Sequence, residues 1–398
     1  MSYLYIQVPR TTGRVLLASG ALATLIVEWV MLVTRPFSSG MGQDFTTMYC
    51  AALAWRHGVD PYISQVPTEL ARALGVRWQG ATEIPVFLPL VAPLTILSPR
   101  GAFVLYSVLV TVAVALSAWM LRRDSLQTLV IVACPATFLV CYFGQTGAFV
   151  CLAASSAWAA RRAERPALLG LCVGLACIKP QLGLCVAVPL LWGQPRRAWV
   201  VAGVGLLSLL GLSVAVLGVP GLLSYVHGII AFSRTSVVTS ARMDGLGLSA
   251  TGLPSWVRLI PLAVLVLMEW RGRGRPTEFT VATCCGTLPL LLPYSHQYDA
   301  VSLLPALLVV HRTLPKALWW TVASLVSITP LVSILVVPLP RLEPWGLIVW
   351  MLWSISAYAR GRDAACASVS GMASGTSREQ RGLVDATIPR PGYTARTT

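Results

Sequence analysis

Long apolar runs, separated by short basic turns or by turns rich in glycine and proline, dominate the pattern of this chain. A helix needs roughly 17–25 apolar residues to cross the hydrocarbon core of a bilayer, and it satisfies its own backbone hydrogen bonds there. The pattern therefore predicts an all-α polytopic membrane protein with about 10–13 spans. The predicted spans lie at about 13–34, 101–121, 126–143, 145–160, 167–178, 181–193, 198–219, 256–270, 278–294, 298–310, 317–337 and 345–359.

Basic residues alternate with these predicted spans. With a cytoplasmic N-terminus, every predicted inside loop contains arginine or lysine, and the opposite turns have few charges. Short basic loops face the cytoplasm, so both termini are predicted to be cytoplasmic. Residues 1–360 then form one membrane domain with two longer extracytoplasmic segments, 35–100 and 220–255. Residues 361–398 are polar and rich in small side chains, which predicts a disordered cytoplasmic tail.

The first long segment has local structure of its own. Apolar residues at helical spacing predict an amphipathic helix on the membrane surface, namely Phe45, Met48, Tyr49, Ala52 and Leu53. Gly58 ends this helix, and Asp60-Pro61 predicts a turn. A second surface helix is predicted at about 68–74 with Thr68 as its N-cap. Three prolines between residues 85 and 97 predict a broken or re-entrant segment.

Composition agrees with a membrane protein. Hydrophobic residues make up 56% of the 398 residues and charged residues 11%, too few to cover a water-facing surface. A net charge of +15 suggests nucleic acid in a soluble protein, but here the arginines follow the predicted inside loops and the tail, so no nucleic-acid partner is predicted. The ten cysteines form no CxxC pair and lie mostly in apolar runs, which is typical of packing residues.

Asp44 directly precedes the predicted helix of the first long segment. One interpretation is an N-cap carboxylate that accepts backbone N–H bonds, and another is a catalytic group. The two roles are compatible, but capping lowers the pKa of a carboxylate. On this basis Asp44 is expected to be a weak base, suited to a reaction in which the proton leaves late.

Lys179 interrupts the apolar stretch 167–192. It lies either within one long span or at the tip of two antiparallel half-length helices, and basic residues at both ends favour the hairpin. A lysine at such a tip extends to the membrane interface or contacts a partner such as a lipid phosphate. Gln145, His296 and Asp299 lie in other turns on the same predicted side, where each is a turn residue, a cap or part of a site.

Several segments together resemble glycosyltransferase family 87. In the first long segment these are Gly42-Gln43-Asp44-Phe45, Tyr49-Cys50-Ala51-Ala52 and Gly58-Val59-Asp60-Pro61-Tyr62. Later segments are Phe143-Gly144-Gln145, the stretch from Arg161 to Pro166, and Gly170 to Lys179-Pro180. The resemblance covers most of residues 40–310. Phe87-Leu88-Pro89-Leu90 differs from the family's usual aromatic-Pro-Pro segment.

This resemblance implies a GT-C-like fold in the cell membrane and a transferase activity. A hexosyl group, mannosyl in known members, would pass with inversion from a polyprenyl-phosphate sugar to a glycolipid or glycan hydroxyl on the extracytoplasmic face. Asp44 and His296 would be catalytic. The implied substrate-binding residues are Lys179, Gln145, Asp60, Tyr62, Tyr49 and Asp299. The expected partners are the donor, the acceptor and the lipid bilayer. No cofactor is expected because the lipid-linked sugar is itself a substrate, and no metal because the sequence has no clustered carboxylate ligands.

Two other classes of function remain open from the sequence. A transporter or lipid flippase would have polar residues along a path through both leaflets, and a membrane scaffold would show no convergence of Asp44, Lys179 and His296. The acids favour the transferase because they concentrate on the predicted outer side. No GxGxxG, GxxxxGK[ST], HExxH or GxSxG motif occurs, which argues against a nucleotide-driven pump or a metalloprotease.

Overall fold

The computed structural model describes residues 10–34, 41–63, 65–74, 83–122, 124–233, 246–248, 254–272, 278–292, 295–311, 313–335 and 342–359. All regular structure in these residues is helical, which confirms the all-α prediction. The α-helices are α1 (Arg10–Thr34), α2 (Gln43–Arg56), α3 (Val66–Ala73), α4 (Phe87–Val91), α5 (Pro99–Arg122), α6 (Ser125–Val132), α7 (Pro135–Phe143), α8 (Gly147–Arg162), α9 (Pro166–Ala176), α10 (Pro180–Val186), α11 (Arg196–Ser233), α12 (Leu259–Gly272), α13 (Glu278–Thr287), α14 (Leu304–Val310), α15 (Lys316–Leu335) and α16 (Glu343–Ala359). Short 3-10 helices cover Ala92–Ile96, Val188–Leu191, Ser255–Arg258, Leu288–Leu291 and Gln297–Leu303.

Several of these helices are apolar enough to cross a membrane. Within the described ranges, three have sufficient length, Thr11–Thr34, Pro99–Arg122 and Arg196–Phe232, and α6 with α7 would make a fourth span bent by 49°. Other apolar helical segments have 10–17 residues. Full-length helices in the described residues therefore number fewer than the 10–13 predicted spans, because prolines and glycines break the apolar runs into shorter pieces.

The centre of the molecule is a set of closely packed helices. α8 packs against α5 and α9, and α9 packs in turn against α11. Glycines allow the last contact, since a Cβ on Gly170 would lie 2.2 Å from the Ala198 carbonyl oxygen. Gly174 and Gly205 likewise meet backbone to backbone. Such small residues let two helix axes approach closely.

α2 lies inside the protein, so the surface location predicted for this helix is wrong. Residues 45–52 are all buried, and the helix packs against α3, α4, α5 and α7. Its length and its end near Gly58, whose φ is +75°, agree with the prediction. Because the positions between its large side chains carry small or hydroxyl groups, such as Thr46 and Cys50, other helices can pack closely around it. α3 begins at Val66, so Thr68 is not its N-cap.

The predicted interruptions of the apolar segments are confirmed. Residues 87–96 divide into α4 and a 3-10 helix. The chain also breaks between Ala176 and Pro180, and Arg161 at the end of α8 donates hydrogen bonds to the carbonyls of Leu190 and Trp192 (2.9 Å for Trp192). The residues after α10 therefore return to the level of the end of α8, as the hairpin requires.

α11 contains a kink whose geometry has a clear cause. Gly218 has φ of 71° and ψ of 174°, which is not helical. Pro220 lacks the N–H that would bond to the Val216 carbonyl in a regular helix, and Trp55 Nε1 from α2 donates to this carbonyl instead (3.0 Å). The helix then continues to Ser233, so residues 220–233 of the predicted extracytoplasmic segment 220–255 are helical.

The chain divides into two compact units, residues 1–352 and residues 353–398. The second unit is described over residues 353–359, which form the end of α16. The tail predicted to be disordered, residues 361–398, lies outside the described residues. All of the site described below belongs to the first unit.

Candidate active site

A cavity of about 310 Å³ opens where α2, α4 and the end of α11 meet three turns of the chain. Its polar wall includes Asp44, Glu83, Gln145, Lys179, His296 and Asp299. Its apolar wall includes Met48, Phe87, Leu88, Val91, Ile229 and Phe232. The cavity can thus hold a ligand that has both a polar and a hydrocarbon part.

One face of α2 forms the floor of this cavity. Asp44, Thr47, Met48 and Ala51 line it at the i, i+3, i+4, i+7 spacing of a helix face. The helix begins at Gln43 after the left-handed N-cap Gly42, and Gly42 has no side chain with which to cap. Asp44 therefore lies in the first turn, and of its two interpretations the N-cap one does not hold.

Gln145 reaches Asp44 because Gly144 permits a close approach of two helices. Gly144 ends α7 with φ of +75°, and a Cβ on it would lie 2.3 Å from the Phe45 Cβ. Any other residue would push the turn away from α2 at the position next to Asp44. With glycine there, Gln145 Nε2 donates to Asp44 Oδ2 at 2.6 Å and to Tyr298 Oη at 3.1 Å.

Lys179 lies at the tip of the hairpin formed by α9 and α10. Pro180 starts α10 at its N1 position, and Gly183 allows the two legs to touch, since a Cβ there would be 2.4 Å from the Ala176 carbonyl oxygen. The Lys179 side chain is buried, and its ammonium donates to Gln145 Oε1 (3.0 Å) and Asp299 Oδ1 (2.8 Å). It also lies 5.4 Å from the centre of the Tyr298 ring.

The turn before the 3-10 helix Gln297–Leu303 completes the polar wall. Asp299 Oδ2 accepts a hydrogen bond from the His296 backbone amide (2.9 Å), which caps this helix, as the turn-and-cap interpretation requires. The rings of His296 and Tyr298 are stacked with centroids 4.8 Å apart. Asp299 therefore fixes both Lys179 and the backbone of His296 by its two oxygens.

The burial of these groups alters their acid–base properties. Burial raises the pKa of Asp44, although His296, Gln145 and Lys179 each act to lower it. The expectation that capping lowers the pKa of Asp44 is therefore wrong. Burial lowers the pKa of His296, which favours the neutral imidazole, while Asp299 and Asp44 oppose this shift. Asp44 is consequently a stronger base, when ionised, than an exposed aspartate.

The structure brings most of the predicted site residues to one cavity. Asp44, Gln145, Lys179, His296, Asp299 and Tyr62 all line it. Tyr49 and Asp60 have other positions. The Tyr49 hydroxyl donates to the Leu97 carbonyl (2.9 Å), and Asp60 Oδ1 accepts from the Tyr62 amide (2.9 Å), so these two residues stabilise the first long segment.

Tyr298 and Glu83 line the cavity with polar groups and were not among the predicted site residues. Tyr298 lies between His296 and Asp299 in the same turn, so its position in a polar turn was the available signal. Glu83 precedes α4, and its only signal was that it is one of the few acids of the chain. Among the described residues, no three His, Cys, Asp or Glu side chains are arranged to hold a metal ion.

The fold and the cavity define an integral membrane protein with a buried acid, amide and lysine cluster, an arrangement suited to an enzyme. The sequence model of glycosyltransferase family 87 matches residues 84–293, just over half of the chain. The protein belongs to glycosyltransferase family 87 and is a membrane glycosyltransferase. The matched segment contains Gln145 and Lys179, whereas Asp44 precedes it and His296 follows it. Comparisons with curated proteins and with solved structures found no match.

Proposed function

We propose that the protein transfers a hexosyl group, specifically mannosyl, from a polyprenyl-phosphate sugar to a hydroxyl of an envelope glycolipid or glycan. The observation that carries this proposal is the single cavity in which Asp44, Lys179 and His296 lie together. A base, a cation and a proton-handling group in one cavity are the parts that transfer from a phosphate leaving group needs.

Asp44 is the base in this reaction. Its carboxylate takes the proton of the acceptor hydroxyl as the new bond forms between the acceptor oxygen and the anomeric carbon. The bond between that carbon and the phosphate oxygen breaks, and its electron pair leaves with the phosphate. One direct displacement inverts the configuration at the anomeric carbon. His296, as a neutral imidazole, orients the hydroxyl or shares its proton.

Lys179 supplies the positive charge that stabilises the departing phosphate. It is held by Asp299 and by Gln145 Oε1, so it is oriented before the substrate binds. Preorganised charge of this kind lowers the barrier because no reorganisation is required during the reaction. Gln145 uses both ends of its amide inside the protein, which favours a positioning role for it over direct contact with phosphate.

The apolar wall supports a lipid-linked donor. Phe87, Leu88 and Val91 from α4 face Ile229 and Phe232 from the end of α11 across the cavity. Hydrocarbon next to the phosphate-binding lysine matches a polyprenyl phosphate, which has its charge at the end of an isoprenoid chain. A soluble sugar nucleotide would leave this wall exposed to water, which is unfavourable by about 25 cal/mol per Å².

The proposal also includes the location of the protein. It lies in the cell membrane with both termini in the cytoplasm, and its cavity faces the extracytoplasmic side. α8 begins next to Gln145 and ends at the basic pair Arg161-Arg162. Its 16 residues separate these ends by about 24 Å. Since basic clusters face the cytoplasm, the cavity would face the opposite side.

The central test is transfer by the purified protein in lipid nanodiscs, with a radiolabelled polyprenyl-phosphate mannose as donor and an alkyl mannoside as acceptor. Asp44→Asn should lower kcat by about 10²–10⁴-fold, because general base catalysis contributes that much. The matched control is Glu69→Gln, which changes an exposed acid of α3 and should leave kcat unchanged.

The purified protein, in nanodiscs for transfer and in sealed vesicles for transport, separates the proposed function from its alternative. Full activity in Asp44→Asn, with unchanged thermal unfolding, would remove the base assignment. Movement of the lipid-linked sugar across a vesicle membrane without transfer to any acceptor would favour a flippase. Transfer that depends on Asp44 supports the transferase.

A further inference from the structure

One acid of the cavity takes no part in the network described above. Asp44 accepts a hydrogen bond from Gln145, and Asp299 is ion-paired with Lys179. The Glu83 carboxyl lines the same cavity, and no side chain in the described part of the chain forms a hydrogen bond or an ion pair with it. A half-buried carboxyl without a protein partner forms its hydrogen bonds with water or with a bound ligand. Glu83 therefore has bonding capacity left for a ligand.

The backbone of Glu83 is held by the first long segment and by α11. The Tyr62 hydroxyl donates to the Glu83 carbonyl oxygen at 2.9 Å. The Tyr62 ring in turn meets Tyr225 of α11 edge-on, with centroids 5.2 Å apart. Asp60 fixes the turn that carries Tyr62. The first long segment thus positions Glu83, and the predicted role of Asp60 in substrate binding becomes an indirect one.

Charged groups of both signs face the cavity. Lys179 attracts an anion, whereas Glu83 and Asp44 repel one. Burial raises the pKa of Glu83 to about 7, with Lys179 acting against the shift and Asp44 and Asp299 reinforcing it. Near neutral pH this carboxyl can accept a hydrogen bond or donate one. The part of the cavity near Glu83 consequently suits a neutral ligand rich in hydroxyl groups.

We propose that Glu83 binds a hydroxyl of the acceptor sugar, next to the hydroxyl that reacts, and so determines which acceptor is used. The inference rests on the transferase function proposed above. Asp44 takes the proton of the reacting hydroxyl, and Glu83 holds a neighbouring hydroxyl of the same ring without transferring a proton. Glu83 is thus a specificity-determining residue, and its loss should affect KM for the acceptor and leave kcat nearly unchanged.

The test uses octyl α-mannoside and its four monodeoxy analogues as acceptor probes. Binding to the protein in nanodiscs is measured by calorimetry without donor, and KM and kcat are measured with donor. For the wild-type protein, at least one analogue should bind about 10- to 100-fold more weakly than the parent, which is the usual effect of one lost hydrogen bond in a buried site. In Glu83→Ala this difference should disappear, and in Glu83→Gln, which keeps the hydrogen-bonding groups, part of it should remain.

Glu69→Ala is the matched control and should discriminate among the analogues as the wild-type protein does. Glu83→Ala protein that folds normally and retains the full discrimination would overturn the inference. So would a loss of kcat as large as that of Asp44→Asn, since it would make Glu83 a second base. Because binding is measured without donor, wild-type protein that binds acceptors but transfers nothing contradicts the proposed function alone.

Discussion

Two ion pairs lie at the two ends of α8, and in each the partners are separated by a similar number of residues. Lys179 and Asp299, 120 residues apart, form a pair of 2.8 Å next to the start of α8. At the other end of α8, Arg162 forms an ion pair with Glu278, which is 116 residues away in the sequence. The distance from Arg162 Nε to Glu278 Oε1 is 2.6 Å. The side chains of the first pair are 8% and 3% exposed, and those of the second are 41% and 47% exposed.

This comparison shows that distance alone says little about what an ion pair does. The exposed pair exchanges contact with water for contact with its partner, so its net contribution is small. The buried pair has lost its water, and each member needs further partners, which Lys179 finds in Gln145 and Asp299 finds in the amide of His296. The buried pair therefore orients a site, whereas the exposed pair joins two surfaces.

Removing one member of the buried pair should give the largest effect. Lys179→Gln leaves the Asp299 carboxylate buried without its cation, which typically costs about 3–5 kcal/mol of stability. It also removes the charge proposed to stabilise the leaving phosphate. We expect a clearly lowered unfolding temperature in nanodiscs and a loss of transfer of about 10²–10³-fold, measured as kcat with saturating donor.

The double variant Lys179→Gln with Asp299→Asn separates these two effects. It removes both charges and keeps groups that can form the hydrogen bonds, so much of the lost thermal stability should return. Transfer should remain low because no cation is restored. If activity returned together with stability, Lys179 would have a structural role alone.

The second prediction concerns the pH dependence of transfer. Asp44 acts as a base only when it is ionised, so kcat/KM should fall as the pH falls through its raised pKa. Lys179 opposes that raised pKa, and without its charge the acid limb of the residual activity in Lys179→Gln should move to higher pH. Lys179 also lowers the pKa of Glu83 and of His296 in the same cavity, so both should rise in this variant as well. If the acid limb of the pH profile stayed at the same pH or moved to lower pH, that result would contradict Asp44 as the titrating base.

The smallest effect is expected at the exposed pair. Arg162→Gln should change stability by about 0–1 kcal/mol, and the change should shrink further with added salt. Transfer and its pH profile should match those of the wild-type protein. A loss of stability comparable to that of Lys179→Gln would show that burial does not explain the difference between the two pairs.

Features set by neighbouring residues were predictable from the sequence. The α2 helix, its end near Gly58 and the turn at Asp60 follow from local spacing and from glycine and proline. The break at Lys179 follows from the proline after it and from half-length apolar runs on both sides. Polar residues in turns between apolar runs also indicated most of the cavity.

Features set by distant contacts were not predictable in the same way. The spacing within α2 gives no sign that four other helices cover it, because that depends on how the chain returns from α4, α5 and α7. The role of Gly144 appears only when Phe45 lies against it. Glu83 becomes informative only once Asp44 and Asp299 are seen to have partners of their own.

The kink in α11 connects the width of the cavity to the position of the proposed base. The wall residues Ile229 and Phe232 follow Gly218, and the Val216 carbonyl just before it is held by Trp55. Trp55 and Asp44 belong to the same 14-residue helix. A ligand that pushes this wall outward would therefore pull on α2, the helix that carries the proposed base Asp44. The hydrogen bond between Trp55 and Val216 thus links the wall that sets the cavity size to the helix that carries Asp44.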